Sequence, residues 1–418
     1  MRRWGVVMAL ATLVTGCDLL AAYHSGEAIG LPADAGDAGD VSDGSEGDVT
    51  VADLPPDTPA PDMLPACPAP GMRVLVPAGE LSDVVVHSGS RYAYAVGHVQ
   101  QAGVDRLLIV ALDDCGRPLA SGVFVPTSGS AATLLAQSVA VFDRPNYGQV
   151  CVGGSRVSGS APEGWVGCFE LAPSGAVLQE RWSVALGWGP NVRVGAANDH
   201  LIVAGADSST LKGRVYSLDG TTSKELFLPI GTEVGDVVVD GADLYFGYVD
   251  VDAGTRQAAY STVPLSCTTL ACPQSGQRIT AVAPPSTLTA FGRGAGFTYW
   301  FGRDNTAKAA DLVVFHVTDA KDGVRLVMPS SLMQVNDVLV VNGRTYIAGR
   351  GGSGRPVVGR SLPKVSGISG PSERSSEAGE VRAGALISGE QLLFVGKLET
   401  GAGVEVCTGL ACIQPPPP

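Results

Sequence analysis

Short apolar runs alternate with turn residues along the whole chain after residue 67. Seven times, a run of alternating apolar residues is followed by a turn with Gly, Asp or Asn and by a second apolar run that ends in Gly. The clear copies are residues 83–97, 191–205, 236–247, 336–349 and 383–396, and the looser copies are 138–153 and 287–302. A period of two predicts half-buried strands, and two such runs joined by a turn predict an antiparallel hairpin. Helical periodicity is hard to find outside residues 1–17, so we predict an all-β protein.

Each hairpin is followed by signals for two further strands. In the first unit these are RLLIVALD at 106–113 and PLASGVFVP at 118–126, separated by a short turn that contains Gly116. Four antiparallel strands in about 40–50 residues is the pattern of one blade of a β-propeller. Seven units therefore predict a seven-bladed β-propeller over residues 67–418.

The two ends of this region indicate how the ring closes. The last unit ends after GVEVCTGLAC at 403–412 without a fourth strand, whereas GMRVLVP at 71–77 precedes the first unit. Pairing the N-terminal strand with the C-terminal unit would remove two exposed sheet edges. We therefore expect residues 71–77 to complete the last blade.

Residues 1–17 carry a different pattern. Arg2 and Arg3 precede an apolar stretch that is too short to span a bilayer, and Val14-Thr15-Gly16-Cys17 follows it. This predicts an export signal over residues 1–16. The last four residues resemble the bacterial lipobox, which implies that Cys17 receives a lipid and anchors the chain in a membrane. An ordinary secretory signal is the alternative.

Two features of the N-terminal region point to different membranes of the cell envelope. Asp18 follows the lipidated cysteine, and in enteric-type sorting that resemblance implies retention at the inner membrane, facing the periplasm. Residues 17–66 form a long segment that would let a module reach outward, which favours the outer membrane or the cell surface. We expect outer-membrane or surface display.

Charge is distributed unevenly along the chain. The 418 residues are 45% apolar and 17% charged with a net charge of −13, but residues 18–66 hold 11 acidic residues and no Lys or Arg. With few aromatic residues and many Asp, Gly, Ala and Pro, this segment is predicted to be a disordered, extended tether. No run of five basic residues occurs anywhere, so we expect no nucleic-acid partner.

Eight cysteines remain once Cys17 carries a lipid, and an even number in an exported protein suggests disulfides. Cys267 with Cys272 and Cys407 with Cys412 share the pattern C-T-x-L-A-C, which favours pairing within each motif. Cys151 and Cys168 lie in neighbouring predicted strands, and Cys67 and Cys115 remain as the fourth pair. Zinc ligation is the alternative, but no C-x-x-C with a matching second pair occurs.

The segments ALDDCGRPL at 111–119 and ELAPSGAVL at 170–178 share a strand, turn, strand pattern of the L-D-x-x-G kind. With the repeat rhythm of residues 71–412, they resemble the bacterial β-propeller lipoproteins with degenerate repeats. The resemblance implies the propeller fold and carries no catalytic motif, so it implies little chemistry.

A search for catalytic and metal-binding motifs gives one weak metal candidate. No G-x-S-x-G, H-E-x-x-H or G-x-x-x-x-G-K-[ST] is present, and the G-x-G-x-x-G at 349–354 leads into a predicted strand rather than a helix. Asp250 and Asp252 precede Gly254 as in the start of a calcium loop, but the later oxygen ligands are missing and a solvated turn is the alternative. We expect no cofactor and no metal.

Repeat symmetry places the residues after the closing glycines at equivalent positions on one rim of the ring. Four of them form a basic arc on contiguous units: His98, Arg303, Arg350 and Lys397. Such charge could steer an anionic partner, and ordinary loop charges are the alternative. We expect a monomeric, non-enzymatic module that binds a protein or an envelope polymer. The alternative is a polysaccharide hydrolase or lyase, which would show inward carboxylates at the channel mouth.

Overall fold

The structure is a computed structural model, and the described residues lie in the second of its two compact units, Pro65–Pro418. It describes residues 67–416 except 88, 91, 126–132, 143–147, 158, 160, 198, 208–209, 253–254, 267–274, 279–285, 295–296, 305–311, 318–325, 328–331, 342–343 and 362–367. The predicted signal peptide, the lipidation site Cys17 and the tether lie outside the described residues. In the part of the chain that is described, no helix is long and apolar enough to cross a membrane.

The described strands form seven four-stranded antiparallel sheets, which we number in chain order. Sheet 1 consists of β2 (Gly79–Val86), β3 (Ala93–Gln101), β4 (Val104–Leu112) and β5 (Pro118–Phe124). Sheet 2 consists of β6 (Thr133–Phe142), β7 (Gly148–Val157), β8 (Pro162–Leu171) and β9 (Val177–Ala185). Sheet 3 consists of β10 (Val192–Ala197), β11 (His200–Asp207), β12 (Thr210–Ser217) and β13 (Ser223–Leu226).

Sheet 4 consists of β14 (Glu233–Asp240), β15 (Asp243–Asp252), β16 (Thr255–Pro264) and β17 (Ser275–Arg278). Sheet 5 consists of β18 (Ser286–Gly294), β19 (Phe297–Asp304), β20 (Leu312–Val317) and β21 (Leu326–Val327). Sheet 6 consists of β22 (Leu332–Val341), β23 (Arg344–Gly351), β24 (Pro356–Ser361) and β25 (Ile368–Glu373). Sheet 7 combines β26 (Gly379–Ser388), β27 (Gln391–Leu398) and β28 (Gly401–Thr408) with β1 (Arg73–Pro77), and a short 3₁₀ helix, Gly409–Cys412, follows β28.

The sheets are arranged in a ring around a central channel. The first strand of each sheet contacts the first strand of the next one, and β26 of sheet 7 contacts β2 of sheet 1. Radially arranged four-stranded antiparallel sheets define a β-propeller, so the all-β propeller prediction is confirmed. We call the end of the channel where these innermost strands begin the mouth face, and the end where they finish the turn face.

The glycines that close each repeat have a packing role in the sheets. Gly97 of β3 and Gly349 of β23 lie beside a β-bulge in the neighbouring innermost strand. A Cβ atom at either position would collide with a backbone carbonyl oxygen, that of Glu80 or Gln334. Only glycine allows the bulged strand to approach this closely, which explains why the pattern recurs in the sequence.

The N-terminal strand closes the ring as the sequence predicts. β1 pairs with β28 in antiparallel register, from Arg73 opposite Val404 to Pro77 opposite Gly401. The first and last strands of the described region thus share one sheet, and each covers an edge that the other would otherwise expose.

A buried ion pair stabilises this junction, which we call the closing seam. Arg374, just after β25, pairs with Glu405 of β28, and both side chains are fully buried. Glu405 also accepts a hydrogen bond from the backbone N–H of Gly71 at 2.9 Å, and Arg374 donates to the backbone carbonyl of Gln414. One ion pair therefore joins sheet 6, sheet 7, the segment before β1 and the C-terminal tail.

Three of the four predicted disulfides lie within the described residues, with the predicted partners. Cys67 pairs with Cys115, Cys151 with Cys168 across β7 and β8, and Cys407 with Cys412. The first of these links the segment before β1 to the turn after β4 of sheet 1. Cys267 and Cys272 lie outside the described residues.

Apolar side chains fill the spaces between neighbouring sheets. Between sheets 1 and 2, for example, Tyr94, Ile109 and Phe169 are buried in one cluster with residues of both sheets. Similar clusters join sheets 7 and 1, 2 and 3, 3 and 4, and 6 and 7. The core is thus distributed around the ring.

Candidate functional site

The central channel is shaped by a β-bulge that recurs in the innermost strands. The register shifts between Leu81 and Asp83 in β2, and at equivalent points in β6, β14 and β22. Polar residues follow these four bulges, namely Asp83, Ser138, Asp236 and Asp337, whereas Ala290 and Ala383 follow the bulges of β18 and β26. Three carboxyl groups therefore face a common axis, because the repeat places them at the same level of the ring.

These side chains tie neighbouring sheets together. Asp83 Oδ2 accepts a hydrogen bond from the N–H of Val139 at 2.8 Å, and Asp337 Oδ2 accepts one from Gly384 at 2.7 Å. Ser138 Oγ accepts one from Val194 at 3.1 Å. Each bond joins one innermost strand to the next.

The other carboxylate oxygen bonds within its own strand. The N–H groups of Val84, Val237 and Val338 donate to Oδ1 of the preceding Asp at 2.7–2.8 Å. Both oxygens of Asp83 and Asp337 thus accept backbone hydrogen bonds, which gives these side chains a structural role in linking neighbouring strands.

Sheet 3 contributes an arginine instead of a carboxylate. Arg193 of β10 donates from Nε to the carbonyl of Gly235 at 2.8 Å and from Nη1 to the carbonyl of Gln137 at 2.7 Å. These carbonyls belong to the bulges of β14 and β6. Arg193 therefore links three sheets and places a positive charge near the carboxyl groups.

The channel carboxyls hold protons more tightly than exposed ones. Burial raises the pKa of Asp83 to about 7, of Asp236 to about 8 and of Asp337 to about 6. These values include repulsion from Asp337, which contributes to the raised pKa of Asp83 and Asp236, and the attraction of Arg193, which opposes the rise in all three. Near neutral pH the channel therefore contains a mixture of protonated and ionised carboxyls.

Beyond the carboxyls, toward the turn face, the channel becomes apolar. A cavity of about 340 Å³ there is lined by Val, Ala and Gly of β2, β6, β10 and β14. The x-V-x-V runs of the sequence thus supply the channel wall as well as the core. The two ends of the channel differ in chemistry.

A group of charged side chains, which we call the mouth cluster, lies between sheets 7 and 1 at the mouth face. Its centre is Glu80 of β2, which pairs with Arg382 Nη1 at 2.6 Å, Lys397 Nζ at 3.2 Å and His98 Nδ1 at 3.3 Å. Arg382 also pairs with Glu380 at 2.6 Å. Burial favours a higher pKa for Glu80, but the attraction of Arg382, His98 and Lys397 outweighs it and lowers the pKa.

The structure brings together two of the four residues of the predicted basic arc. His98 and Lys397 meet on the carboxylate of Glu80, so their charge is largely balanced locally. Arg350 is exposed at the end of the β23–β24 hairpin, and Arg303 lies in β19 with its side chain outside the described part. Of the four arc positions, the structure therefore describes the side chains of three, and two of these, His98 and Lys397, contact Glu80.

The described residues contain one group of three possible metal ligands, formed by Asp113, Asp114 and Cys115. Cys115 is in a disulfide, and Asp113 Oδ1 accepts hydrogen bonds from the N–H groups of Cys115 and Arg117. These contacts form a turn. The calcium candidate Asp250 is not part of that group, and the side chain of Asp252 lies outside the description.

The channel carboxyls were not identified as site residues from the sequence, although a signal was present. Asp83, Asp236 and Asp337 each begin a D-V-x-V run at the same point of the repeat. An acidic residue at the first position of three separate repeats could have indicated a shared inward location. Arg193 gave no such signal, because the third position of its run is apolar in the D-V-x-V runs, where Val85, Val238 and Leu339 stand.

No protein-family model matches the chain, and no curated protein matches it in sequence. Solved structures do resemble it. Hydrazine synthase from Kuenenia stuttgartiensis is 10% identical with a TM-score of 0.53, and the match covers 81% of this chain and 97% of that one.

A structure from a study of two prolyl endopeptidases is 12% identical with a TM-score of 0.52, over 82% of this chain and 49% of that one. Sqt1 from Chaetomium thermophilum is 14% identical with a TM-score of 0.50, over 82% and 98%. At these identities the likeness concerns the fold alone.

Proposed function

We propose that this chain is a binding module of the cell envelope, in which a seven-bladed propeller on a lipid-anchored tether binds a protein or an envelope polymer. The seven four-stranded sheets support the blade count. The partner binds at the mouth face, and the scaffold performs no chemistry on it.

The observation that carries the proposal is the mouth cluster. Strands from two sheets present Glu80, His98 and Lys397 around a cleft of about 250 Å³, and the Lys397 side chain is 51% exposed. Two large apolar residues, Ile230 and Met333, are 75% and 54% exposed before or at the start of innermost strands, on the same face. A face that presents exposed apolar side chains as well as a polar, partly solvated network has the mixed character of a protein interface.

The envelope part of the proposal is supported by the sequence of residues 1–18. The signal pattern and Cys17 favour a lipid anchor, and the three disulfides within the described residues are compatible with an oxidising compartment outside the cytoplasm. Protease treatment of intact cells tests the outward orientation, because it would release the propeller from the surface. Full protection in intact cells would contradict surface display and favour the periplasmic side.

The binding proposal is tested by cross-linking the native lipoprotein in cells and identifying the partners by mass spectrometry. A reproducible set should be recovered with the natural chain and be reduced with Lys397→Glu, which reverses the exposed charge of the mouth cluster. Arg344→Glu makes the same charge change at the turn face and should leave the set intact. Equal recovery with both variants would contradict binding at the mouth face.

An enzyme is the second candidate, and the channel carboxyls are the observation that favours it. Enclosed carboxyls with a pKa near 7 are suited to general acid or base catalysis. Against this, both oxygens of Asp83 and Asp337 accept backbone hydrogen bonds. Turnover of an envelope polysaccharide by the purified protein, lost in Asp83→Asn, would overturn the non-enzymatic proposal.

A further inference from the structure

A cavity lies between sheets 3 and 4 at the turn face, away from the mouth cluster. It has a volume of about 560 Å³, within the range of small-molecule sites. Sheet 3 supplies most of its wall through β11, β12 and β13, and sheet 4 supplies Gly241, Ala242, Leu265 and Ser266. We call this cavity the sheet 3–4 pocket.

Two side chains that line the pocket are smaller than their counterparts in sheet 1. When the repeats are aligned on Gly97 and Gly205, His200 and Ile202 of sheet 3 correspond to Tyr92 and Tyr94 of sheet 1.

In sheet 1 the two tyrosines fill the gap. Tyr94 is 1% exposed and donates to the carbonyl of Gly175 in sheet 2 at 3.0 Å. The ring of Tyr92 packs so closely on Gly175 that a Cβ atom there would collide with it. The same space beside sheet 3 is left open.

The walls of the pocket combine an apolar floor with a cationic rim. Ile202, Val215 and Lys224 lie side by side across β11, β12 and β13, so their side chains share the face of sheet 3 that looks toward sheet 4. His200 lies two residues before Ile202 on that face. Thr222, Ser223 and Ser266 add hydroxyl groups at the edge.

No carboxylate is among the described lining residues, although the chain has 41 acidic and 28 basic residues. Asp219, in the adjoining turn, is occupied by hydrogen bonds from Ser217 Oγ at 2.6 Å and Thr221 Oγ1 at 2.8 Å. Both charged or ionisable groups that line the pocket, His200 and Lys224, can donate to an anion. The lining therefore favours a ligand with an anionic head group, which His200 and Lys224 can bind, and an apolar body, which the apolar floor can bind.

We propose that the sheet 3–4 pocket binds a small aliphatic carboxylate, with its chain against Ile202, Val215 and Leu265 and its head near Lys224 and His200. This site is separate from the mouth face and does not depend on the proposed partner binding. An apolar segment of a protein partner is the other possible occupant, and it would not require the carboxylate.

The test is calorimetric titration of the purified oxidised protein with decanoate, decanol and decylamine below their aggregation concentrations. Decanoate should bind more tightly than decanol, and decylamine should bind most weakly. Lys224→Gln should weaken decanoate binding by about fivefold, the upper range for an exposed ion pair, and leave decanol unchanged. Lys212→Gln, in the same sheet but outside the pocket, is the matched control.

A second variant tests the cavity itself. His200→Tyr combined with Ile202→Tyr copies sheet 1 and should fill the pocket, so binding of decanoate and decanol should both be lost while the melting temperature is retained. Equal affinity for decanoate and decanol, no detectable binding of decanoate, or unchanged binding in a folded double-tyrosine variant would each overturn the proposal.

Discussion

The closing seam and the sheet 3–4 pocket lie in different parts of the same ring and use opposite means of joining neighbouring sheets. At the seam, β1 pairs with β28, the Arg374–Glu405 pair is fully buried, and one disulfide fixes the segment on each side: Cys67–Cys115 before β1 and Cys407–Cys412 after β28. Between sheets 3 and 4, the packing is apolar, and a cavity of about 560 Å³ remains. The difference teaches where a closed ring needs specific bonds: at the junction between its chain ends, where no loop connects the partner strands.

The largest effect should come from breaking the ion pair of the seam. Glu405→Ala leaves the Arg374 guanidinium buried without its partner, so the free energy of unfolding should fall by about 3–5 kcal/mol. Urea unfolding followed by circular dichroism measures this. Glu163→Ala, which breaks the partly exposed pair with Arg156, should cost at most about 1 kcal/mol.

Replacing both residues of the pair by apolar ones distinguishes the cost of an unpaired buried charge from the cost of lost packing. Arg374→Met combined with Glu405→Leu should recover most of the lost stability, because no uncompensated charge stays buried. Equal unfolding free energies for Glu405→Ala and Glu163→Ala would show that the seam does not depend on the buried pair.

The contribution of each seam disulfide to stability should depend on the length of chain that it encloses. The Cys67–Cys115 bond spans 48 positions and Cys407–Cys412 spans 5, so the loop-entropy model gives about 4 and about 2 kcal/mol. Replacing Cys67 and Cys115 by Ser should therefore lower the melting temperature more than replacing Cys407 and Cys412. The opposite order would mean that the tail after β28 matters more for closure than the segment before β1.

The open and filled gaps between sheets can be compared with one substitution. Ile109 and Ile202 are both buried, at 0% and 1% exposed, but Ile202 borders the sheet 3–4 pocket. Ile109→Ala should therefore cost about 4 kcal/mol and Ile202→Ala about 2 kcal/mol, because solvent can enter the space left beside the pocket. Chemical denaturation of both variants checks this. Similar costs would indicate that the pocket is not open in solution.

The last prediction concerns pH and involves the central channel. The pKa of Asp83 is about 7 and that of Asp236 about 8, above the ordinary value of 3.8, so the folded state holds protons that the unfolded chain releases. Their contribution to stability is complete below about pH 4 and is lost as the pH rises to about 8, by at most about 1.4 kcal/mol per pH unit for each proton.

Melting temperatures between pH 4.5 and pH 8 measure this decline. Glu80 works in the opposite direction, because its lowered pKa makes it stabilising when ionised and costs stability as the pH falls. Asp83→Asn should flatten the decline toward pH 8, and Glu80→Gln should not. A stability that rises steadily from pH 5 to pH 8 and is insensitive to Asp83→Asn would contradict the raised pKa.

Much of the fold could be predicted from the chain because its elements are local and repeated. The alternating Val runs, the turns and the closing glycines each depend on neighbours within a single hairpin, as Gly97 beside the bulge of β2 illustrates. The strand at 71–77 could be assigned to the last sheet because it precedes the first repeat and the last repeat lacks a fourth strand. The pairing of Cys67 with Cys115 was predicted by elimination, as the pair left after the other three were assigned, although 48 positions separate the two residues.

The candidate sites depended on relations that the sequence does not contain. Lys397 and His98 were predicted as part of a basic arc, but only the ring closure brings Glu80 between them. Asp83, Asp236 and Asp337 begin similar runs, yet their raised pKa values arise from enclosure in a channel that forms after the sheets have assembled.

By itself, the sequence determined the strands, their order and the strand that closes the ring, because hydrophobic alternation and turn chemistry act over a few residues. It also predicts, through residues 1–17, an anchored and exported chain. Only the tertiary structure decided that Arg374 meets Glu405, that the channel is acidic at one end and apolar at the other, and that a gap stays open beside Ile202. These properties depend on side chains from different sheets, and their distances are set by the packing of the whole ring.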